Sequence, residues 1–143
     1  MEVSVTHFKN IYDNVTDNVT QFENFEKFER ALYGISEVER TNKLSATLIS
    51  PAVYQQGTTR SNANVVKWSG WCAVDVDDYT PEGDLENDLL SSFSHYYFVC
   101  YSTASSTASQ PKFRLVFPLT SEVERDRIPG FWHALNNELG ALA

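Results

Sequence analysis

The chain is poor in cysteine, with only Cys72 and Cys100 in 143 residues. Two cysteines build no disulfide framework, and no CxxC spacing offers a thiolate metal site. Both lie in apolar, strand-like segments, which predicts buried free thiols and a reducing compartment. No apolar run reaches the roughly 18 residues that a membrane-spanning helix needs, so no membrane partner is expected. Met1-Glu2-Val3 lacks the basic start and apolar stretch of a secretory signal, which points to the cytoplasm. Without a secretory route, Asn14-Val-Thr and Asn18-Val-Thr read as chance matches to a glycosylation acceptor. Bases are outnumbered 11 to 19, for a net charge of −8, which speaks against a uniformly basic nucleic-acid-binding surface.

The chain is rich in material for a core. Hydrophobic content is 42% and aromatic content 13%. That composition suits a folded protein and argues against disorder. A chain of this length fits one domain, residues 1–143, burying roughly two-thirds of its unfolded surface.

The charges are segregated. Residues 1–39 hold eight acids and three bases, while residues 40–74 hold Arg40, Lys43, Arg60 and Lys67 and no acid. Residues 75–95 hold seven acids and no base; residues 96–120 hold Lys112 and Arg114 and no acid. Two basic segments therefore bracket an acidic one, as a polyphosphate site requires. The alternative is that the acids sit on solvated helices.

The acidic segment opens with Ala73-Val74-Asp75-Val76-Asp77-Asp78. Side chains alternate along a strand, so Asp75 and Asp77 share one face while Val74 and Val76 share the other. Two like charges beside a core repel each other and are costly to bury uncompensated. A divalent cation is one compensation. Oxygen ligands suit Mg²⁺ or Mn²⁺, typically with substrate phosphates completing the shell.

Patterning predicts an α+β protein. Residues 3–8 read as a strand. Thr20-Gln-Phe-Glu23 reads as a capping box opening a helix to about Tyr33, with Phe22, Phe25, Phe28 and Leu32 on its core face and Gly34 at its C-terminal cap. Residues 44–55 read as extended and broken by Pro51, and Gly57–Asn62 as a polar loop. Val65–Val76 reads as a strand or a pair broken at Gly70. Thr80-Pro81 predicts a helix start, with Leu85, Leu89, Leu90 and Phe93 facing inward. Tyr96–Tyr101 and Lys112–Leu119 read as strands flanking a small-residue loop, and Ser121–Leu139 as a helix that Pro129 limits. Trp68, Trp71 and Trp132 read as core, although Trp68, Trp71 and Tyr79 have the chemistry to stack bases. His7, His95 and His133 read as structural.

In the strand after the loop, Phe113, Leu115 and Phe117 share one face, and Lys112, Arg114 and Val116 the other. If it lies beside the Asp75 strand, Arg114 and the two carboxylates share a face. A cation clamp beside a metal site is a recurring arrangement in phosphoryl transfer. The plainer reading is that Lys112 and Arg114 keep an exposed sheet face soluble.

These segments together resemble the catalytic core of the archaeo-eukaryotic primase superfamily, in particular the primase-polymerase-like replication proteins of phages and plasmids. The resemblance covers roughly residues 60–140. It rests on Ala-Val-Asp75-Val-Asp77-Asp, then Tyr-Ser102-Thr103-Ala104, then Pro-Lys112-Phe-Arg114-Leu-Val-Phe-Pro118-Leu. It implies an RRM-like, mostly antiparallel sheet flanked by helices, two Mg²⁺ or Mn²⁺ ions, and template-directed joining of nucleoside triphosphates to a 3′-hydroxyl. Carried over by residue, Asp75 and Asp77 hold the metals. Ser102, Thr103 and Arg114 touch the incoming triphosphate, and Lys112 touches triphosphate or template backbone. Arg60, in the loop before the metal strand, is a weaker phosphate contact. Implied partners are single-stranded DNA and a helicase domain or protein, in the host cytoplasm if phage-encoded. Two departures stand out. Ala104 occupies the place of the family's usual His, and residues 120–143 supply no third acid on a later strand. The chain then reads as the N-terminal part of a longer replication protein.

Three other readings stay open. Asp75-Val-Asp77 also resembles the start of a haloacid-dehalogenase-like phosphatase with Asp75 as nucleophile, though Tyr79 stands where that family has a small hydroxyl residue. A nucleic-acid- or nucleotide-binding module that has lost catalysis fits Ala104 and the missing third acid. Finally, Asp75, Asp77 and Asp78 also read as a solvated strand end and turn, indifferent to Mg²⁺ and Mn²⁺.

Overall fold

The computed structural model describes residues 1–36, 48–77, 79, 84–103 and 106–139. In chain order these form β1 (Val3–Phe8), β2 (Val19–Phe22), α1 (Phe25–Ser36), β3 (Leu48–Ser50), β4 (Ala52–Tyr54), β5 (Val65–Trp68), β6 (Trp71–Val76), α2 (Leu85–Ser92), β7 (Val99–Ser102), β8 (Phe113–Pro118), β9 (Val123–Glu124) and α3 (Ile128–Leu139). The protein is α+β, with described strands in three small antiparallel sheets of order β2-β1-β3, β4-β5-β9 and β6-β8-β7. None of the described helices is long and apolar enough to cross a membrane.

The third sheet carries the Asp75 strand. β8 runs antiparallel to both β6 and β7, so those two are parallel to each other with β8 between them. Parallel strands need a long crossover, and α2 lies within it. This is a split β-α-β unit.

Alternation along β6 and β8 divides the core in two. Cys72, Val74, Val76, Phe113, Leu115 and Phe117 face Leu89, Phe93 and Leu139, beneath α2 and α3. On the opposite face, Trp71, Val116 and Val99 pack against Val3 and Val5 of β1 and Phe28 and Leu32 of α1. That second cover extends to Ala73 and to Tyr101, the neighbour of Arg114. At its margin the Arg114 side chain is largely buried and that of Asp75 is about half exposed.

Several expectations hold. β1 spans the predicted residues, β5 and β6 are the strand pair broken at Gly70, and Gly57 and Gly70 adopt positive φ of 77° and 65°. Trp71 is fully buried. Both thiols are free, Cys72 buried and Cys100 half-buried.

Other expectations are corrected. Thr20 does not open a helix, because Val19–Phe22 pairs with β1 in the register Val3↔Phe22 to Thr6↔Val19. Asn24 caps α1 instead, its side-chain oxygen accepting from the Lys27 backbone N–H at 3.0 Å. Phe22 still reaches the predicted aromatic cluster, from the strand, with its ring 5.5 Å from that of Phe28. The helix passes through Gly34 to Ser36. α2 is capped at Asp84, whose carboxylate accepts from the Glu86 N–H at 3.1 Å; Thr80-Pro81 and residues 44–47 lie outside the described residues. Leu85, Leu89 and Phe93, four apart, face the core, which turns Leu90 about 100° away and leaves it 54% exposed. The Tyr96–Tyr101 strand begins only at Val99, leaving Tyr96 and Tyr97 exposed. Residues 121–127 are not helical at first: Val123 and Glu124 pair with β5, and a 3₁₀ turn follows. Pro129 falls in the first turn of α3, where its missing N–H costs no bond. Trp132 is exposed rather than core, set edge-on against Trp68 at 6.2 Å.

Candidate functional site

The site grows from register. β6 and β8 pair from Trp71↔Pro118 to Val76↔Phe113, which sets Asp75 directly opposite Arg114. β7 pairs with the other edge of β8 and sets Tyr101 opposite the same arginine. One row across three strands is therefore Asp75–Arg114–Tyr101. The Leu119 N–H donates to the Gly70 carbonyl at 2.9 Å, anchoring the start of the ladder at the glycine turn.

Arg114 donates from Nε to Asp75 Oδ1 at 2.6 Å and from Nη2 to Oδ2 at 3.2 Å. This is the bidentate fork that suits a planar guanidinium. Its Nη1 donates to the Tyr101 hydroxyl at 3.2 Å. The arginine side chain is 16% exposed and the aspartate side chain 47%, so the cation is sunk into the face while its carboxylate partner stays open to solvent. Burial alone would lower the Arg114 pKa; the hydrogen bond to Asp75 and the charges of Tyr101 and Asp75 outweigh it, and the net shift is upward. Burial raises the Tyr101 pKa, with Arg114 opposing and Asp75 reinforcing the shift.

The next row is open. The Thr103 N–H donates to the Lys112 carbonyl at 2.9 Å, extending the β7–β8 ladder, and the Thr103 hydroxyl donates to the same oxygen at 3.3 Å. Asp77 lies one residue beyond the end of β6 and is exposed. Among the described residues, neither Asp77 nor Lys112 enters an ion pair.

The structure thus brings together Asp75 and Arg114, with Thr103 and Lys112 one step further along the same hairpin. Ser102 is separated from them: it pairs with Phe113 and so takes the parity of the helix-covered face. Arg60 is engaged elsewhere, with its Cζ 4.2 Å from the Phe8 ring centroid and Nη1 donating to the Ile11 carbonyl at 3.4 Å. Asp78 and Ala104 lie outside the described residues. Tyr79 packs its ring on Phe113 and donates its hydroxyl to Asp88. Tyr101 is the member that sequence reasoning missed. Two-residue alternation from Thr103 back along β7 was the available signal.

As a metal site the donor set is sparse. No group of three or more His, Cys, Asp or Glu side chains comes together among the described residues. Both Asp75 oxygens already accept from Arg114, although each carboxylate oxygen has a second lone pair. Two hard oxygen donors fit Mg²⁺ or Mn²⁺ where substrate phosphates supply further ligands. No family model, curated protein or solved structure matches the chain.

Proposed function

We propose that this face binds a metal–nucleoside triphosphate complex and that the protein is a nucleotidyltransferase of the primase-polymerase type, acting on a single-stranded DNA template in replication. The observation that carries this reading is the cross-strand pairing of Asp75 with Arg114 on the sheet face that α2 and α3 leave uncovered. A split β-α-β unit with an acid–base pair at the margin of the β1 and α1 cover is compatible with an RRM-like nucleotidyltransferase core.

The residues divide the work by charge. Asp75 and Asp77 would hold the metal. Mg²⁺ or Mn²⁺ held there would supply charge stabilisation at the phosphates and would lower the pKa of the attacking 3′-hydroxyl. Arg114 offers the triphosphate a planar fork and Lys112 a mobile point charge. Thr103 adds a hydroxyl at the base of the same hairpin. The 3′-hydroxyl would give up its proton to solvent as its oxygen bonds to the α-phosphorus, and pyrophosphate would leave with the electron pair of the broken P–O bond. Arg114 and Lys112 would neutralise the charge that develops on it.

A second reading, a nucleotide- or nucleic-acid-binding module without catalysis, is favoured by the closed Asp75–Arg114 pair and by the lack of a third acid among the described residues. Primer extension with Mn²⁺ separates the two. Incorporation that Asp75→Ala abolishes supports the transferase; metal-dependent nucleotide binding without incorporation supports the binding module. The solvated-strand-end reading predicts neither.

A further inference from the structure

We infer that Asp75 and Arg114 form a latch: paired, they disfavour a divalent cation or a polyphosphate arriving alone, and they exchange partners when the two arrive as one complex. The inference rests on reading this face as a metal–triphosphate site, and it concerns how that site opens.

The geometry supplies the reason. Arg114 spends Nε and Nη2 on the two oxygens of Asp75 and Nη1 on Tyr101. A phosphate approaching the face therefore meets an arginine already neutralised and largely covered, at 16% exposure. A cation approaching Asp75 meets a carboxylate that is open at 47% exposure but charge-balanced from behind. Either ligand alone strands the other member of the pair. An unpaired, mostly buried guanidinium is costly, and so is a carboxylate beside an incoming polyanion. A metal–polyphosphate complex pairs both at once, the cation with Asp75 and the phosphate with Arg114.

Two neighbours suit the exchange. Tyr101 keeps its hydroxyl on Arg114, with its ring centroid 5.9 Å from Cζ, so the guanidinium stays oriented when Asp75 lets go. Lys112 carries a positive charge with no ion-pair partner among the described residues, one row from the pair. It is placed to attract the polyanion before Arg114 is released. The coupling is reciprocal: whatever the metal does for polyphosphate affinity, polyphosphate does equally for metal affinity.

Calorimetry on the whole chain tests this with inorganic tripolyphosphate in EDTA and, separately, with Mn²⁺ alone. Asp75→Asn removes the competing charge, and tripolyphosphate affinity without metal should rise about tenfold over wild type, within the usual range of such couplings. Asp75→Ser should show the same gain, which guards against a peculiarity of the amide. Arg114→Gln should raise affinity for Mn²⁺ alone by a similar factor. Thermal melts confirm that each variant is folded. Gains in both arms support the latch; affinities at or below wild type in both overturn it. Failure of the latch is distinguishable from failure of the functional reading. Wild type that binds Mn²⁺–nucleoside triphosphate, with no gain in either variant, overturns the latch alone. Gains in the variants with no such binding by wild type keep the latch and overturn the nucleotide assignment.

Discussion

Trp71 donates its indole N–H to the backbone carbonyl of Ser4 at 2.9 Å, tying the sheet that carries the site to the first sheet. The ring is fully buried and lies 4.7 Å from that of Phe28. Trp71→Ala should cost about 3–5 kcal/mol, as large-to-small changes in a packed core do. Trp71→Phe keeps most of the packing but orphans the Ser4 carbonyl, at about 1–3 kcal/mol. Urea denaturation of both variants measures the difference. No loss in Trp71→Phe would mean that the hydrogen bond contributes nothing, and equal losses that the ring packing does not.

Two glycines should respond oppositely to alanine. Gly70 sits at φ 65°, and an added Cβ would lie 3.0 Å from Met1 Cε. Gly70→Ala should lose about 1–2 kcal/mol from the left-handed backbone alone. Gly34 lies inside α1 with nothing within 4 Å of an added Cβ. Gly34→Ala should gain about 0.5–1 kcal/mol from helix propensity. Midpoints of thermal unfolding moving in opposite directions are the expected result.

Burial pushes the Cys72 thiol up to about 12 and the Cys100 thiol up to about 11. A thiol raised on folding keeps its proton in the native state while the unfolded chain loses it. Its contribution is therefore intact below the unfolded value near 9 and is lost as pH rises toward the folded values. Stability should fall between about pH 9 and 12, and replacing both cysteines with serine should flatten that slope. At pH 8, Ellman's reagent should react with both thiols in guanidinium and slowly with the native protein.

Much of this architecture was legible because local and tertiary forces agree. β1, the break at Gly70 and the alternation of β6 and β8 follow from side-chain parity and one obligatory turn. Where they compete, tertiary pairing wins. Thr20-Gln-Phe-Glu23 has the letters of a capping box, yet the same residues complete a ladder with β1. Val123 is drawn into β5 pairing and delays α3 to Ile128. In the site, parity puts Asp75 and Arg114 on one face if their strands are neighbours, and the register sets them opposite each other. The expectation that a cation compensates Asp75 did not foresee that Arg114 does so first. Ser102 falls on the other face by a single step of parity, since its neighbour Thr103 has the opposite one. Arg60 carried no local sign that the Phe8 ring would hold it.

Arg114→Lys retains the charge and loses the fork. The substitution should cost about 1–2 kcal/mol, because a lysine cannot satisfy both Asp75 oxygens and the Tyr101 hydroxyl in one plane. It should weaken metal–nucleotide binding about tenfold at a partly buried phosphate contact. A Lys112→Ala variant should lose affinity with unchanged stability. Paired denaturation and binding curves separate the structural contribution of Arg114 from the electrostatic one of Lys112.

The most direct test is calorimetric binding of a nucleoside triphosphate in the presence of Mn²⁺, comparing wild type with Asp75→Asn/Asp77→Asn. The account predicts binding by wild type that depends on the metal, and in the double variant only weaker binding that no longer responds to the metal. Equal binding by both proteins, or none by either, would contradict a metal–triphosphate site on this face.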